Sequence, residues 1–352
     1  MIFPKKKFLI GDREIGPNNP PYCIAEVGIN HNGSLDLAKK MIDTAKVAGA
    51  DAVKFQTFKA EEFCGDINQT FKYKSQGKVI EEPMLDMFKR YELSTESWND
   101  IKEYSDKIGI TFFSTPQNNS DLNFLLTVGV PVIKIGSDDF TNLPLIRRYK
   151  ETRLPIILSC GMSNLSEVHQ ALEAVSWFDG YPAILLLCTS QYPTPPEDVN
   201  ILKLNTLQSS FPGLITGFSD HTQGYLAASL AVSLGARIFE KHFTLDKNLP
   251  GPDHWFSEDI KGLSEWVKNI HIADKMLGSS IVKPTKAELI NKKEFQRIIV
   301  ASNQIKLGDD FTEENLEMRR VSGGNGMNAN MFSFLLGKKA WRNFEKLEPI
   351  KI

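Results

Sequence analysis

The chain has 352 residues, of which 24% are charged, and its formal net charge at pH 7 is -2. A charge so close to neutral offers no basic surface to nucleic acid or to an anionic membrane, so we expect neither as a partner. No apolar stretch of the sequence reaches the length that crosses a bilayer.

The first residues, Met1-Ile-Phe-Pro-Lys-Lys-Lys7, lack the apolar core of a secretory signal. The four cysteines, Cys23, Cys64, Cys160 and Cys188, do not have the spacing of metal ligands, which is typical of reduced residues that serve in packing. Both observations predict a cytoplasmic protein.

Residues 1–276 alternate short apolar runs with longer amphipathic segments, the pattern of βα units around a parallel sheet. The predicted strands are 22–26, 52–58, 111–115, 132–137, 155–160, 183–189, 214–219 and 237–244. The predicted helices are 34–47, 94–107, 119–128, 143–151, 164–175, 199–209, 224–234 and 258–276, and serines at positions 34 and 94 suit N-caps. Eight strands that are each followed by a helix predict a closed (β/α)₈ TIM barrel.

Two parts of the chain depart from this rhythm. Residues 57–83 are a long polar insertion, which is typical of a lid or a substrate-binding segment. Residues 277–288 have the composition of a linker, and residues 289–352 contain short β-like runs with glycine and asparagine turns. We predict that residues 289–352 form a second, β-rich domain that is too small to bury a large core.

Two late strands end in a histidine, in the segments Leu214-Ile-Thr-Gly-Phe-Ser-Asp-His221 and Arg237-Ile-Phe-Glu-Lys-His242. Catalytic groups of barrel enzymes lie at the carboxyl ends of the strands, so both imidazoles are expected to face one site. Imidazole is a ligand that suits Mn, Fe, Co or Zn, and the pair predicts half of a divalent-metal site. The alternative is that each histidine is only a hydrogen-bonded strand end.

Lys54 and Lys134 lie on the second and fourth strands, near serines and threonines at other strand ends. Two ammonium groups among hydroxyls form a pocket that suits phosphate or a phosphorylated carboxylate. In one alternative, a lysine forms a Schiff base with a carbonyl substrate. In another, both lysines extend from the strand ends into solvent.

Eight motifs of the chain, in matching order, closely resemble the N-acetylneuraminate (sialic acid) synthase family. They are Ile24-Ala-Glu-Val-Gly-Ile-Asn-His-Asn-Gly33, Lys54-Phe-Gln-Thr57, Phe113-Ser-Thr-Pro116, Lys134-Ile-Gly-Ser137, Cys188-Thr-Ser-Gln-Tyr-Pro-Thr-Pro195, Gly217-Phe-Ser-Asp-His-Thr222, Glu240-Lys-His-Phe-Thr244 and Pro250-Gly-Pro-Asp253. From about Glu294 the chain resembles the SAF (antifreeze-like) domain of that family, with Phe311-Thr-Glu-Glu-Asn-Leu316.

The resemblance implies that phosphoenolpyruvate condenses with an open-chain N-acetylated hexosamine, such as N-acetylmannosamine or a related 2,4-diacetamido-trideoxyhexose. The products are a nine-carbon 2-keto sugar acid and phosphate, which leaves with C–O cleavage. The implied cofactor is a divalent metal, Mn²⁺ first and Mg²⁺ or Co²⁺ as alternatives, which polarises the sugar aldehyde.

The resemblance also implies roles for individual residues. His221 and His242 match the metal ligands, and Glu26 matches a carboxylate near the reacting carbons, a candidate for acid–base work. The positions that match phosphoenolpyruvate-binding residues are Lys54, Thr115, Lys134, Ser137, Ser159 and Ser219. The positions that match residues contacting the sugar or supporting the metal site are Gln56, Asp139, Tyr192 and Asp253.

In the resembled family the SAF domains are exchanged within a homodimer, and an arginine of this domain reaches the partner's active site to bind the acylamide end of the sugar. Arg320 matches that arginine, and Arg319 is the second choice, because the loop Val321-Ser-Gly-Gly-Asn-Gly326 lacks the usual proline and is longer. A guanidinium there positions the sugar and transfers no proton.

The chain departs from the sialate-making pattern in two further places. Asp138-Asp139 replaces Gly-Glu, and Ser190 replaces an asparagine. The resemblance therefore leaves open whether the acceptor is of the sialate, legionaminate, pseudaminate or spore-coat type.

Two other classes of function stay open at this point. A Schiff-base aldolase that uses Lys54 or Lys134 would act on a related keto acid without a metal. An ice-binding or carbohydrate-binding scaffold would rely on the antifreeze-like domain alone, and would not need ionisable groups at converging strand ends.

Overall fold

A computed structural model describes residues 8–352 of the chain. Residues 1–7 lie outside the described residues. They begin the predicted barrel domain, and the expectation of no secretory signal rests on them. The chain divides into two compact units between Gly278 and Ser279. Among the described residues, no helix combines the length and the apolar character that spanning a bilayer requires.

Strands occur in both units of the described chain. In chain order they are β1 (Phe8–Ile10), β2 (Arg13–Ile15), β3 (Tyr22–Gly28), β4 (Ala52–Thr57), β5 (Thr70–Ser75), β6 (Lys78–Pro83), β7 (Thr111–Pro116), β8 (Ile133–Ile135), β9 (Ile156–Ser159), β10 (Ala183–Cys188), β11 (Ile215–Asp220), β12 (Ile238–His242), β13 (Ile298–Ala301) and β14 (Leu316–Arg319).

The α-helices of the described residues are α1 (Leu35–Val47), α2 (Ala60–Phe63), α3 (Met84–Tyr91), α4 (Thr95–Ile108), α5 (Asn119–Val128), α6 (Leu143–Lys150), α7 (Leu165–Ala174), α8 (Pro196–Val199), α9 (Lys203–Ser210), α10 (Leu226–Ser233), α11 (Ile260–Leu277), α12 (Lys286–Phe295) and α13 (Phe332–Leu335). The hydroxyls of Ser34 and Ser94 accept hydrogen bonds from the first turns of α1 and α4, as their N-cap positions predict.

Eight strands close into a parallel barrel in the order β10-β11-β12-β3-β4-β7-β8-β9, which confirms the predicted (β/α)₈ fold. The strands are apolar on both faces, because one face fills the barrel and the other packs against helices. In β3, for example, all seven residues are buried. Since all eight strands run the same way, their carboxyl ends meet at one mouth of the barrel.

One predicted barrel helix differs from the structure. The sequence predicts a single helix over 199–209, whereas the structure has the short helix α8, Pro196–Val199, followed by α9, Lys203–Ser210. Asn200, between them, adopts a φ of 47°, and this left-handed conformation ends α8.

The polar insertion has regular structure of its own. Strands β5 and β6 pair as an antiparallel hairpin around Gln76 and Gly77, which both have positive φ angles. The short helices α2 and α3 precede and follow the hairpin.

The second unit has its own small apolar core, built around Ile299, Phe311, Leu335 and Phe344. Its strands β13 and β14 are antiparallel, which fits a SAF domain. Helix α12 begins at Lys286, inside the predicted linker 277–288, because Thr285 and Glu288 form a reciprocal capping box at its start.

Candidate active site

A cavity of about 660 Å³ opens at the carboxyl ends of the barrel strands. Its wall contains every predicted site residue except Asp139 and Arg320. The lining residues that the sequence singled out are Glu26, Lys54, Gln56, Thr115, Lys134, Ser137, Ser159, Tyr192, Ser219, His221, His242 and Asp253. The cavity lies where the strand directions place the reactive side chains of a barrel enzyme.

Two lysines and two glutamates form the floor of the cavity. Lys54 Nζ lies 3.0 Å from Oε2 of Glu26 and 3.6 Å from Oε1 of Glu240. Lys134 Nζ lies 3.9 Å from the same Glu240 oxygen. All four side chains are buried, and their charges balance. The sequence placed Glu240 at a strand end, but only the structure shows it between the two ammonium groups.

Hydroxyl groups orient both lysines. Lys54 Nζ donates to Oγ1 of Thr115 over 3.1 Å, and Lys134 Nζ donates to Oγ of Ser159 over 2.7 Å. Ser219 Oγ donates to Oε1 of Glu240 over 3.2 Å. The ammonium groups are therefore held in fixed positions, and an anion that enters the cavity meets charge and hydroxyl donors together.

Burial changes the acidity of this cluster. It raises the pKa of the Glu26 carboxyl to about 7, although the Lys54 ammonium opposes the shift. Burial also lowers the pKa of Lys134 from its usual value, against the opposing charge of Glu240. Gln56 Nε2 donates to the other oxygen of Glu26 over 3.4 Å. Near neutral pH, Glu26 can therefore give or take a proton, as a general acid or base must.

The two histidines face each other across the cavity, with ring centroids 5.5 Å apart. Nδ1 of His221 lies 2.8 Å from the carbonyl oxygen of Thr189, and we assign the ring proton to this nitrogen, which donates to the carbonyl. The lone pair of Nε2 is then available to a ligand, an arrangement common among metal-binding histidines.

His242 carries an unsatisfied nitrogen. Its Nδ1 is buried without a hydrogen-bond partner among the described residues, and it lies 3.9 Å from Oδ2 of Asp253. Burial lowers the pKa of His242 well below its usual value, so the imidazole is neutral at pH 7, as a metal ligand has to be. Two imidazoles and a carboxylate are a donor set that Mn²⁺, Fe²⁺, Co²⁺ or Zn²⁺ accepts. The residues present therefore fit a divalent metal.

A second group of possible ligands lies near the amino ends of β3 and β4. Ligand atoms of Cys23, Asp51 and His271 lie within 4.8 Å of one another. Asp51, however, forms an ion pair with Arg13 and accepts a hydrogen bond from the backbone N–H of Cys23. Because both carboxylate oxygens already have partners, this group is a weaker candidate for a metal site than the histidine pair.

Of the two adjacent acids that follow Ser137, the structure brings Asp138 to the cavity and not Asp139. Asp139 turns toward the start of α6, where its Oδ1 accepts a 2.9 Å hydrogen bond from Asn142. The chain bends after the short strand β8, and this bend sends the two side chains in different directions. The sequence alone does not show which acid points inward.

Arg320 and Arg319 lie in the second unit. The guanidinium of Arg320 lies 6.0 Å from the centre of the Phe295 ring, and Arg319 forms a 2.9 Å ion pair with Glu317. Of the three glycines that follow in the loop, Gly323 and Gly324 have positive φ angles.

An aromatic wall, Phe58, Phe63, Phe71 and Phe88, lines another part of the cavity. The rings of Phe58, Phe63 and Phe88 lie 5.0 to 6.4 Å apart. All four residues belong to the insertion or its immediate neighbours, where the sequence signalled a binding segment and not an apolar surface. Phenylalanines spaced irregularly in a polar stretch were the only available signal.

The hairpin of the insertion is bonded to the loop that follows β12. Gly251 N donates to Oγ of Ser75, and Gln76 Nε2 donates to the carbonyl oxygen of Asn248. Lys74 Nζ lies 4.8 Å from the centre of the Trp255 ring. These contacts join two loops on one side of the cavity.

Comparison with known proteins identifies close relatives over nearly the whole chain. The NeuB family model matches residues 41–282. The N,N'-diacetyllegionaminic acid synthase of Legionella pneumophila is 37% identical and covers 95% of this chain and 94% of its own length. The crystal structure of an N-acetylneuraminic acid (sialic acid) synthetase from Leptospira borgpetersenii, in complex with citrate, is 34% identical, with a TM-score of 0.72 over 82% of this chain and 97% of that one. A spore coat polysaccharide biosynthesis protein of Bacillus subtilis is 31% identical, with a TM-score of 0.69 over 98% of both chains.

Proposed function

This chain is an enzyme of the NeuB family, and we propose that it condenses phosphoenolpyruvate with an open-chain N-acetylated hexosamine to give a nine-carbon 2-keto sugar acid and phosphate. The observation that carries the proposal is one cavity that holds a buried lysine pair, a carboxyl group with a pKa near 7 and two facing imidazoles. Because phosphoenolpyruvate is a cytosolic metabolite, we expect the enzyme to act in the cytoplasm.

Phosphoenolpyruvate would bind over the lysine pair. Its phosphate and carboxylate need cationic and hydroxyl donors, and Lys54, Lys134, Thr115, Ser159 and Ser219 supply both kinds within one region. Ser137 lines the same cavity and completes the proposed set.

The negative charge of this ligand would also act on Glu26. Glu26 and Glu240 balance the lysines in the free enzyme, so an entering polyanion makes the region strongly negative. Protonation of Glu26, whose pKa is already raised by burial, relieves the excess charge. We therefore infer that phosphoenolpyruvate binds together with a proton.

In the reaction, carbon 3 of phosphoenolpyruvate would attack the aldehyde carbon of the sugar and form the new C–C bond. A water molecule adds to the cationic carbon 2 and loses a proton, and the tetrahedral intermediate then releases phosphate by breaking the C–O bond. The aldehyde oxygen gains a proton as it becomes a hydroxyl. Glu26, adjacent to Lys54, is the group we propose for these proton transfers.

His221 and His242 would hold a divalent cation, with Asp253 beside them. We propose Mn²⁺, with Mg²⁺ or Co²⁺ as alternatives. When bound, the cation supplies Lewis acidity that polarises the aldehyde carbonyl. The ring of Tyr192 lies 4.2 Å from that of His221 and covers this side of the cavity. Gln56 of β4 lines the same cavity and donates to Glu26.

The aromatic wall supports a choice of acceptor. Phenyl rings stabilise methyl groups by contact and leave a hydroxyl or phosphate without a hydrogen-bond partner. A 2,4-diacetamido-trideoxyhexose offers two acetamido methyls and the methyl of carbon 6, whereas N-acetylmannosamine has a polar group at carbon 6. We therefore propose the trideoxyhexose as the preferred acceptor, in keeping with the name of the Legionella relative, an N,N'-diacetyllegionaminic acid synthase.

A contact from a second chain completes the proposal. The residues that line the cavity in the described part of the chain include lysines but no arginine, so an arginine contact to the sugar would have to come from outside this lining. We propose a homodimer with exchanged SAF domains, in which Arg320, or else Arg319, supplies this contact to the acylamide group.

One observation favours a second candidate function. The lowered pKa of Lys134 is a property that a Schiff-base lysine needs, so an aldolase acting on a keto acid is the competing proposal. Borohydride added with a keto acid would attach the substrate covalently to Lys134 or Lys54 of an aldolase. We expect no such adduct, because both lysines are engaged by hydroxyls and carboxylates.

A phosphate-release assay tests the proposed function. Phosphoenolpyruvate and Mn²⁺ are held constant while the acceptor is varied among 2,4-diacetamido-2,4,6-trideoxymannose, N-acetylmannosamine and N-acetylmannosamine 6-phosphate. We expect the fastest release with the trideoxy sugar and a product whose mass equals the sum of both substrates plus water minus phosphoric acid. No release with any N-acetylated hexosamine would refute the proposal.

A further inference from the structure

We propose that Asp220 and Lys241 are positioning residues, which form a buried ion pair behind the cavity and hold His221 and His242 at the separation that one cation needs. The proposal rests on the metal site proposed above. Neither residue lines the cavity, and neither is required for any chemical step.

Asp220 and Lys241 are each adjacent to a histidine along the chain and are paired with each other across the sheet. Asp220 immediately precedes His221, and Lys241 immediately precedes His242. Asp220 and Lys241 are also register partners across β11 and β12. Because side chains alternate along a strand, the two histidines enter the barrel while the two preceding residues point outward to the helices.

The two charged groups of the ion pair are in direct contact and shielded from solvent. Lys241 Nζ lies 3.0 Å from Oδ2 of Asp220, and only 2% and 0% of the two side chains are exposed. The same carboxylate oxygen accepts a 2.9 Å hydrogen bond from the indole nitrogen of Trp266, a fully buried residue of α11. A pair that is buried this deeply is weak evidence for stability, because the cost of desolvation offsets the attraction. Its location next to both ligands points to a geometric role.

A ring of contacts closes around His221. Oδ1 of Asp220 accepts hydrogen bonds from the backbone N–H of Thr222, over 2.9 Å, and from its hydroxyl, over 2.7 Å. The carbonyl oxygen of Thr222 in turn accepts a 2.5 Å hydrogen bond from Lys241 Nζ. Both chain neighbours of His221 are therefore bonded to the residue that precedes His242. The contacts thus connect the backbone around His221 to the strand that carries His242.

The same strand and helix provide a matched control. Arg237, at the start of the β12 segment, forms a 2.6 Å ion pair with Asp274 of α11. This pair also links the strand to the helix, but at the end of the strand that lies away from the histidines. Its loss should affect stability without changing the metal site.

Titration of the full-length protein with Mn²⁺ alone, followed by the electron paramagnetic resonance signal of free Mn²⁺, tests the proposal. We expect Asp220→Asn to raise the Mn²⁺ Kd about tenfold or more, in the range seen when residues that orient metal ligands are replaced. Asp274→Asn should leave the Kd within about twofold of wild type. The Kd of phosphoenolpyruvate, measured without metal, should stay unchanged in both variants.

Thr222→Val keeps the ion pair and removes only the hydroxyl bond, so it serves if Asp220→Asn fails to fold. We expect it to raise the Mn²⁺ Kd less than Asp220→Asn but more than Asp274→Asn. An unchanged Mn²⁺ Kd in a folded Asp220→Asn or Thr222→Val variant would overturn the positioning role. Absence of Mn²⁺ binding by the wild-type protein, or binding that survives His221→Ala, would instead overturn the metal site on which this proposal rests.

Discussion

Lys54 Nζ lies 3.0 Å from Oε2 of Glu26, with 4% of the lysine side chain and 1% of the glutamate side chain exposed. We expect this pair to link the binding of an anion to the protonation of the Glu26 carboxyl group. Phosphoenolpyruvate adds negative charge beside a glutamate whose pKa is already about 7, and its binding should raise that pKa further.

The first prediction is a pH dependence of phosphoenolpyruvate binding. Below pH 7 Glu26 is protonated in both free and bound enzyme, so the Kd is constant. Above pH 7 the free enzyme has lost the proton that the complex keeps, and the Kd should rise by up to about tenfold per pH unit. Calorimetric titration between pH 6 and 9 measures the effect. Glu26→Gln should remove the dependence, whereas Glu240→Gln should keep it but shift it to lower pH, because the charge of Glu240 helps to raise the pKa of Glu26. A wild-type Kd that stays constant from pH 7 to 9 would contradict the coupling.

The second prediction concerns the histidine pair. His221→Ala and His242→Ala should each lower kcat about 10³-fold or more, because the polarisation of the aldehyde is worth several kcal/mol of barrier. Circular dichroism should show an intact fold in both, and Mn²⁺ should no longer raise Tm. His169→Ala, at an exposed position of α7, is the matched control and should retain full activity. Near wild-type rates in either cavity variant would show that the metal is not held there.

The third prediction addresses the aromatic wall. Phe71 is 37% exposed, so Phe71→Ser should fold normally while replacing an apolar surface with a polar one. The ratio of kcat/KM for the trideoxy sugar to kcat/KM for N-acetylmannosamine should fall about tenfold. Phe178→Ser, at a residue of similar exposure outside the cavity, should leave the ratio unchanged. If both substitutions changed this ratio equally, the aromatic wall would not determine the choice of sugar.

The fourth prediction concerns the second unit. Arg320→Ala should raise the KM of the sugar strongly and the KM of phosphoenolpyruvate little, since a guanidinium positions the acylamide group and does not transfer a proton. Arg319→Ala is the comparison, because Arg319 already pairs with Glu317. A larger effect of Arg319→Ala would exchange their roles.

Mixing the two variants at a sugar concentration too low for Arg320→Ala to turn over alone tests the proposed exchange. Arg320→Ala and His221→Ala chains that exchange subunits should recover activity, because one of the two sites in a mixed dimer contains both wild-type residues. If mixtures with demonstrated subunit exchange stay inactive, the arginine acts within its own subunit or has no role in the site.

The barrel could be predicted from the sequence because each strand is a short apolar run and each helix carries one apolar face. The same logic placed Lys54, Lys134, His221 and His242 at one end of the barrel, and the structure brings them into one cavity. The carboxyl ends of parallel strands meet at one mouth of the barrel whatever the side-chain conformations are. Individual residues at these strand ends could therefore be predicted to lie in the site.

Features set by loops and by side-chain direction could not be predicted. The bend after β8 decides that Asp138, and not Asp139, enters the cavity. The position of Glu240 between Lys54 and Lys134 depends on three strands at once. The insertion is polar in composition, and the phenylalanines of the aromatic wall are far apart in its sequence. The hairpin and its two helices bring their rings together, which the sequence alone does not indicate.

The most direct test of the proposed condensation determines which product contains the bridging oxygen of phosphoenolpyruvate. Phosphoenolpyruvate labelled with ¹⁸O at the bridging position is incubated with the enzyme, the trideoxy sugar and Mn²⁺. The masses of both products are then measured by mass spectrometry. C–O cleavage predicts that the label leaves with phosphate and that the oxygen at carbon 2 of the sugar acid comes from water. Label retained in the sugar acid would mean attack at phosphorus, and would contradict the proposed condensation.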